Sequence, residues 1–406
     1  MTAATLLDDA TALGDTLVAL RRAIHAEPEL GLMTPATRDK VRAALADLPI
    51  DWREGPSTTG LVGLLRGRGA SQGLRRTVLL RGDMDALPMP EQTGLPYASK
   101  VPGAMHACGH DAHTAMLVGA ARLLAGRADR LAGDVVLMFQ PGEEGHHGAR
   151  FMIDDGLIDW GTGVWPDAAF ALHVMPNAPH GQVAGRAGAL LASADQIDIV
   201  VTGAGGHASM PHDAADPVPV ACEIVTAIQT MVTRQFNAHD PVVVTIAKIT
   251  AGTTHNVIPD SANMKGTMRS LSPANREKLR HALTQLAQGI AAAHGLSASV
   301  TITPGFPVTL CNPPAVDFGA RVTQDLFGPE VFHRLPAPIM GAEDFAYVLE
   351  RCPGAMFFLG MAPEGDDWAQ CCGIHSPRMM IDETVMPRGA ALLTGLAMRF
   401  LDKGFT

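Results

Sequence analysis

Apolar and polar positions follow two rhythms along the first 190 residues. Helical spacing runs through 4–26, 35–47 and 111–128, the last read from "DAHTAMLVGAARLLAGRA". Between and after these lie short apolar runs: "GLVGLLRG" (60–67), "RRTVLLRGDMD" (75–85), "DVVLMFQP" (134–141) and "DAAFALHVMP" (167–176). Runs this short and this uniformly apolar, two of them stopped by proline, predict strands buried on both faces. Helix and strand in alternation predict a layered α/β domain.

Residues 190–303 change rhythm. A strand in "LLASADQIDIVVTG" precedes the Gly-rich "AGGHASMPH". A helix over 216–235 and strands over 241–249 and 261–271 follow. The next helix has Ser272 as N-cap, Pro273 in its first turn and Gly295 as its stop. "SASVTITPG" closes the set. The succession β-α-β-β-α-β predicts a ferredoxin-like α+β unit. It lies inside the chain, so it reads as an insertion, and 306–406 resume the first pattern. The expected domains are therefore 1–189 with 304–406, and 190–303.

Composition narrows the function. With 406 residues and 47% hydrophobic content, the chain can bury a large core in two or three domains. A net charge of -10, no basic block and 5% aromatics argue against a nucleic-acid partner. No run approaches the roughly 18 apolar residues that would suggest a membrane span. The start carries Asp8, Asp9 and Asp15 and no basic segment before its apolar part, which argues against a secretory leader. The six cysteines form no C-x-x-C pair, and a cytoplasmic location is expected. Cys222, Cys311 and Cys352 are expected as small buried hydrophobes; the adjacent pair Cys371–Cys372 is left open.

Five places put ligand-type residues at the end of an apolar run: Asp83 and Asp85 in "RGDMDALP", Cys108 and His110 in "HACGHDAH", Glu143 and Glu144 in "FQPGEEGHHG", His173 in "ALHVMP", and His375 in "CCGIHSPRM". In α/β sheets, sites form beyond the carboxyl ends of strands. Alone, "HACGHDAH" fits a structural cluster, a cysteine nucleophile or a metal site. Imidazole, thiolate and carboxylate together are a ligand set for zinc or a similar divalent ion. On an extended segment Cys108 and His110 would point to one face. Side chains of the neighbours Glu143 and Glu144 diverge, so one can bind metal while the other serves as general base. A nucleophile at Cys108, with His106 or His110 as base, would leave Glu143, Glu144, His173 and His375 without a role.

These motifs, together with "RRAIHAEPELG", "GAGGHASMPHDAADPV", "TAGTTHNVIPDSANMKGTMRS" and "MGAEDFAYVLERCPGAMFFLG", resemble the dinuclear metal amidohydrolases that include hippurate hydrolase, N-acyl-amino-acid deacylases and auxin-conjugate hydrolases. The resemblance implies a zinc-peptidase-like catalytic domain interrupted by a ferredoxin-like lid that also dimerises. It implies Cys108, His110, Glu144, His173 and His375 as ligands of two divalent ions per subunit, with Glu143 as base. Zinc or manganese is expected, and nickel and cobalt are compatible. Five side chains give each ion three protein ligands only if one is shared, and Cys108 is assigned that place. Relatives such as aminoacylase have H-x-D where this chain has Asp83-x-Asp85, so Asp85 is read as a residue that orients a ligand imidazole. His106 and His113 are read as flanking the ligands, His146 and His147 as loop residues, and His25 as structural. In the insert, the resemblance implies that His207 polarises the scissile carbonyl, from the partner subunit of a dimer. Arg269, with Asn256, would hold a substrate carboxylate. The implied reaction is hydrolysis of an N-acyl amino acid; a dipeptidase or carboxypeptidase on the same scaffold is the alternative.

Overall fold

The computed structural model describes residues 3–406 apart from 72, 161 and 162. They group into two units: Met1–Leu190 with Leu310–Ala337 and Asp344–Thr406, and Leu191–Thr309 with Pro338–Glu343.

The first unit is built on an eight-stranded sheet. Strands β1 (Ile50–Glu54), β2 (Leu61–Leu65), β3 (Thr77–Asp83), β4 (Asp134–Gln140) and β5 (Ala168–Met175) lie in the order β1-β2-β4-β3-β5. Strands Gly354–Gly360, Val183–Gly185 and Phe332–Arg334 continue it. β3, β4, β5 and Gly354–Gly360 run parallel, whereas β1 and β2 pair antiparallel at one edge. The apolar runs of the sequence are β2 to β5, and β3 to β5 are buried almost end to end. Helices α1 (Ala3–Ala12), α2 (Gly14–His25), α3 (Pro35–Ala44) and α4 (His110–Ala125) belong to this unit. α4 and the C-terminal helix Met386–Lys403 both pack on β3 and β5 and on each other. Fourteen of the sixteen residues of α4 are buried, so it is a central helix without a solvent stripe. Phe170 of β5 meets Phe318, Phe357 and Phe400 at ring centroids of 5.9–6.5 Å. Each such buried ring contributes roughly 1.5–3 kcal/mol of transfer free energy.

The single helix expected over 4–26 is two helices parted at Leu13. α1 packs on Met386–Lys403 and α2 on α4, and Gly14, a weak helix former, stands at the break.

The second unit holds a four-stranded antiparallel sheet in the order Val242–Ala251, Ser261–Ser270, Ser193–Thr202, Ser297–Pro304. Helices Pro217–Gln235 and Pro273–Ala293 connect its strands pairwise, which is the split β-α-β order. Strand Ser193–Thr202 buries Ile197, Ile199 and Val201 and turns the alternate residues outward, so one face packs. Helix Pro273–Ala293 starts where the sequence places it: Ser272 Oγ accepts from Asn275 N at 3.2 Å, with Pro273 next. Cys222 departs from expectation. It is exposed, because its helix buries the stripe Val220, Ala221, Ile224, Ile228 and Met231, which residue 222 falls outside. Cys311 and Cys352 are buried. Among the described residues, no helix is long and apolar enough to cross a membrane.

Candidate metal centre

The ligand-type residues of the first unit gather at the carboxyl ends of its central strands. Asp83 ends β3, Glu143 and Glu144 follow β4, His173 lies in the last turn of residues of β5, and His110 opens α4. Cys108 and His110 do not share the face of an extended segment. Gly109 between them is left-handed, φ +88°, and swings the chain directly into the helix. A Cβ on Gly109 would lie 2.2 Å from Val174 Cγ2, so only glycine fits the turn.

Two histidines are oriented by backbone carbonyls. His110 Nδ1 donates to Asp85 O at 2.8 Å, and His173 Nδ1 donates to Val174 O at 2.8 Å. A carbonyl only accepts, so in each neutral ring the proton sits on Nδ1 and the lone pair on Nε2. His173 Nε2 faces Cys108 Sγ at 3.3 Å. His110 Nε2 and Glu144 Oε1 are both buried without a hydrogen-bond partner, and they face one another at 3.9 Å. His375 Nε2 stands 3.2 Å from the same Glu144 oxygen, outside hydrogen-bonding geometry. Buried polar atoms are nearly always satisfied. A lone imidazole nitrogen and a lone carboxylate oxygen aimed at each other beside a thiol are what a divalent cation would satisfy.

Among the described residues there are five groups of candidate ligands, and the two that include the thiol are Cys108, His110 and His173, and Cys108, Glu144 and His375. In each, the candidate ligand atoms lie within 4.8 Å of one another, and Cys108 belongs to both. With protein groups alone, burial pushes the Cys108 thiol up to about 12. That is the reverse of an activated nucleophile, which needs a depressed thiol; a coordinated cation is what would deprotonate it. Burial works against the Glu144 carboxylate, but His375 and His110 hold it below its ordinary value.

Asp85 acts more broadly than the sequence suggested. Its backbone carbonyl orients His110, while its carboxylate accepts from Glu143 N at 2.9 Å and Glu144 N at 3.0 Å. One side chain thus pins the turn that presents both glutamates. Asp83 carries more than the sequence assigned to it: it accepts from Arg81 at 2.5 Å and His113 at 2.6 Å, and lies 3.4 Å from His110 Nε2. Beneath it, fully buried Arg81 also bonds Gln140 and Asp344, and Asp344 accepts from the Ala149 N–H. Asp344 escaped sequence reasoning because it lies 195 to 263 positions from these partners and in no apolar run. His25, read as structural, closes α2 in a buried ion cluster with Asp111, Glu91 and Arg21.

In the second unit, His207 and Asn256 come together through a two-stranded ladder, Gly206–His207 against Val257–Ile258. The Asn256 carbonyl accepts from Ala208 N at 3.1 Å. His207 is exposed, and its Nδ1 accepts from the Ser209 N–H at 3.1 Å. A backbone N–H only donates, so the neutral ring carries its proton on Nε2 and presents a donor there. Arg269 lies near the end of strand Ser261–Ser270, opposite Val243 and Ala194. Its half-buried guanidinium makes no hydrogen bond or ion pair among the described residues, and burial lowers it from the ordinary value despite Asp195 nearby.

Residues 79–399 match the model of peptidase family M20/M25/M40. The chain is 39% identical to the IAA-amino acid hydrolase ILR1-like 2 of Arabidopsis thaliana, over 95% of this chain and 85% of that protein. It is 37% identical to thermostable carboxypeptidase 2 of Saccharolobus solfataricus, over 98% of each. Among solved structures, the YXEP protein of Bacillus subtilis, described as a dinuclear metal binding peptidase, superposes with a TM-score of 0.81 at 32% identity, covering 96% of this chain and 99% of that one. By the family match over 79–399 and the identity to these relatives, this chain belongs to peptidase family M20/M25/M40.

Proposed function

We propose that this protein is a metal-dependent amidohydrolase that cleaves N-acyl amino acids to a carboxylic acid and a free amino acid. The observation that carries this is the pair of buried, unsatisfied ligand atoms, His110 Nε2 and Glu144 Oε1, beside the Cys108 thiol. Cys108, His110 and His173 would hold one cation, and Cys108, Glu144 and His375 the other, with Cys108 as the shared ligand. Zinc and manganese fit the mixed sulfur, nitrogen and oxygen donors. When bound, the pair supplies Lewis acidity and a lowered pKa for water.

The protein's own groups do the rest. Glu143, buried and fixed through its backbone N–H by Asp85, accepts the proton of the attacking water and delivers it to the leaving amine. His207 donates from Nε2–H to the developing oxyanion. Arg269, whose guanidinium lacks an internal partner, holds the substrate's α-carboxylate, with Asn256 beside His207 assisting. The second unit serves as lid and dimerisation domain of a homodimer in this reading.

The test is elemental analysis of the purified protein joined to a hydrolysis panel of benzoyl-, acetyl- and indole-acetyl-amino acids against dipeptides. Two divalent ions per chain and preferential release of amino acid from the acyl substrates are expected. Faster turnover of dipeptides would establish the carboxypeptidase-type alternative, which the Saccharolobus relative keeps in view.

A further inference from the structure

Strand β5 outruns β3. The parallel ladder between them ends at Arg81 opposite Ala171, whereas β5 continues to Met175. Backbone groups of β5 that face β3 beyond this point lose their strand partner and need another. His113 takes one of these places. Its Nε2 accepts the Val174 N–H at 2.8 Å. The proton of the neutral ring is therefore on Nδ1, which donates to Asp83 Oδ1 at 2.6 Å. Arg81 secures Asp83 in turn. The carbonyl of the same Val174 accepts from His173 Nδ1 at 2.8 Å. The His113 and His173 rings pack edge-on, with centroids 4.7 Å apart at 62°. With both nitrogens engaged, His113 is no ligand itself, although it lies among ligands and is 2% exposed.

We propose that His113 is a positioning residue of the metal centre: its imidazole stands in for the missing strand carbonyl at Val174, and through Val174 it sets the direction of His173 Nε2 toward the position shared with Cys108 and His110. This rests on the reading that His173 and Cys108 hold a metal. It differs from a generic packing role, because the chain Arg81–Asp83–His113–Val174–His173 ends on a lone pair aimed at the centre. Asp83 thus works through His113.

Three variants separate the two hydrogen bonds. His113→Gln keeps an acceptor near the Nε2 position and loses the donor at Nδ1. His113→Asn keeps the donor to Asp83 and loses the acceptor. His113→Leu loses both. Each metal-free protein is titrated with Co²⁺ against a chromogenic chelator, and the visible spectrum, with its thiolate-to-cobalt charge-transfer band, is recorded. Thermal unfolding of the metal-free proteins is followed in parallel. Wild type should bind two ions. His113→Leu and His113→Asn should bind one of them about 10- to 100-fold more weakly, with a diminished thiolate band, and His113→Gln should stay within about 3-fold of wild type. Wild-type affinity and spectrum in both His113→Leu and His113→Asn would overturn the proposal. So would equal losses in Gln and Asn variants that merely track unfolding temperature. If His113→Leu fails to fold, the contrast of Gln with Asn still decides. Fewer than two ions on wild type would instead defeat the metal reading beneath it.

Discussion

Glu143 and Glu144 are adjacent in sequence and held by one aspartate, yet the proposed function gives their side chains different work. Asp85 accepts both of their N–H groups, which fixes the turn, and only Glu144 places an unsatisfied oxygen against His110. Glu143→Gln should therefore keep its metal content and lose about 100- to 10,000-fold in turnover. Glu144→Gln should lose metal in elemental analysis. A chelator should abolish wild-type activity and a divalent ion restore it, with no covalent adduct at Cys108 by mass spectrometry during turnover. The candidate ligand types were legible in the sequence because thiol, imidazole and carboxylate recur at the ends of apolar runs. The link from His113 to Val174 was not, because a backbone N–H left over by unequal strand lengths has no sequence signature. The left-handed Gly109 was equally hidden: its spacing fits an extended segment as well as a turn.

At the scale of elements, strands and caps were easier to read than junctions. β3, β4 and β5 are buried on both faces and show it as unbroken apolar runs, and Ser272 with Pro273 announces a helix start. The division of the first helix into α1 and α2 was not announced, since both halves keep helical spacing and differ in which helix each packs on most closely. The turn into α4 gives a direct test. Gly109→Ala forces a side chain into a left-handed residue and against Val174, so the variant should lose about 1–3 kcal/mol in denaturant unfolding and bind metal more weakly. In the second unit, burial disfavours the Asp195 carboxylate, but Arg276, the Gly305 N–H and Arg280 hold it below its ordinary value. A depressed carboxylate contributes stability that is complete above its unfolded value, about 3.9, and is lost as pH falls through the folded one. Asp195→Asn should therefore flatten the acid limb of the stability profile below about pH 4. On the neighbouring strand, Arg269→Ala should weaken catalysis of acyl-amino acids about 10- to 100-fold more than that of their amides, which lack the carboxylate. Equal losses on both would remove Arg269 from carboxylate binding.

For the whole molecule, two units divide the candidate chemistry: metal ligands and base in the first, His207, Asn256 and Arg269 in the second. A dimer in which His207 serves the partner subunit makes a clear prediction. Glu143→Ala and His207→Ala should each be inactive, and verified heterodimers of the two should regain one working site, because the His207→Ala subunit keeps its own Glu143. No recovery would confine His207 to its own chain. The succession of strands and helices made the second unit visible in the sequence, whereas its inclusion of Pro338–Glu343 depends on a chain return that no local pattern encodes. His375 carries a last consequence. It is the one proposed ligand that is exposed, with half of its side chain open to solvent, while His110 and His173 are buried. Its backbone is left-handed, φ +61°, and is tied by its N–H to Ala107 O at 2.6 Å. An exposed ligand lets water and competing chelators reach its own ion first, so the two ions should differ in residence time. Dilution into chelator should release metal in two kinetic phases, the first from the His375 side, with a half-loaded enzyme accumulating between them.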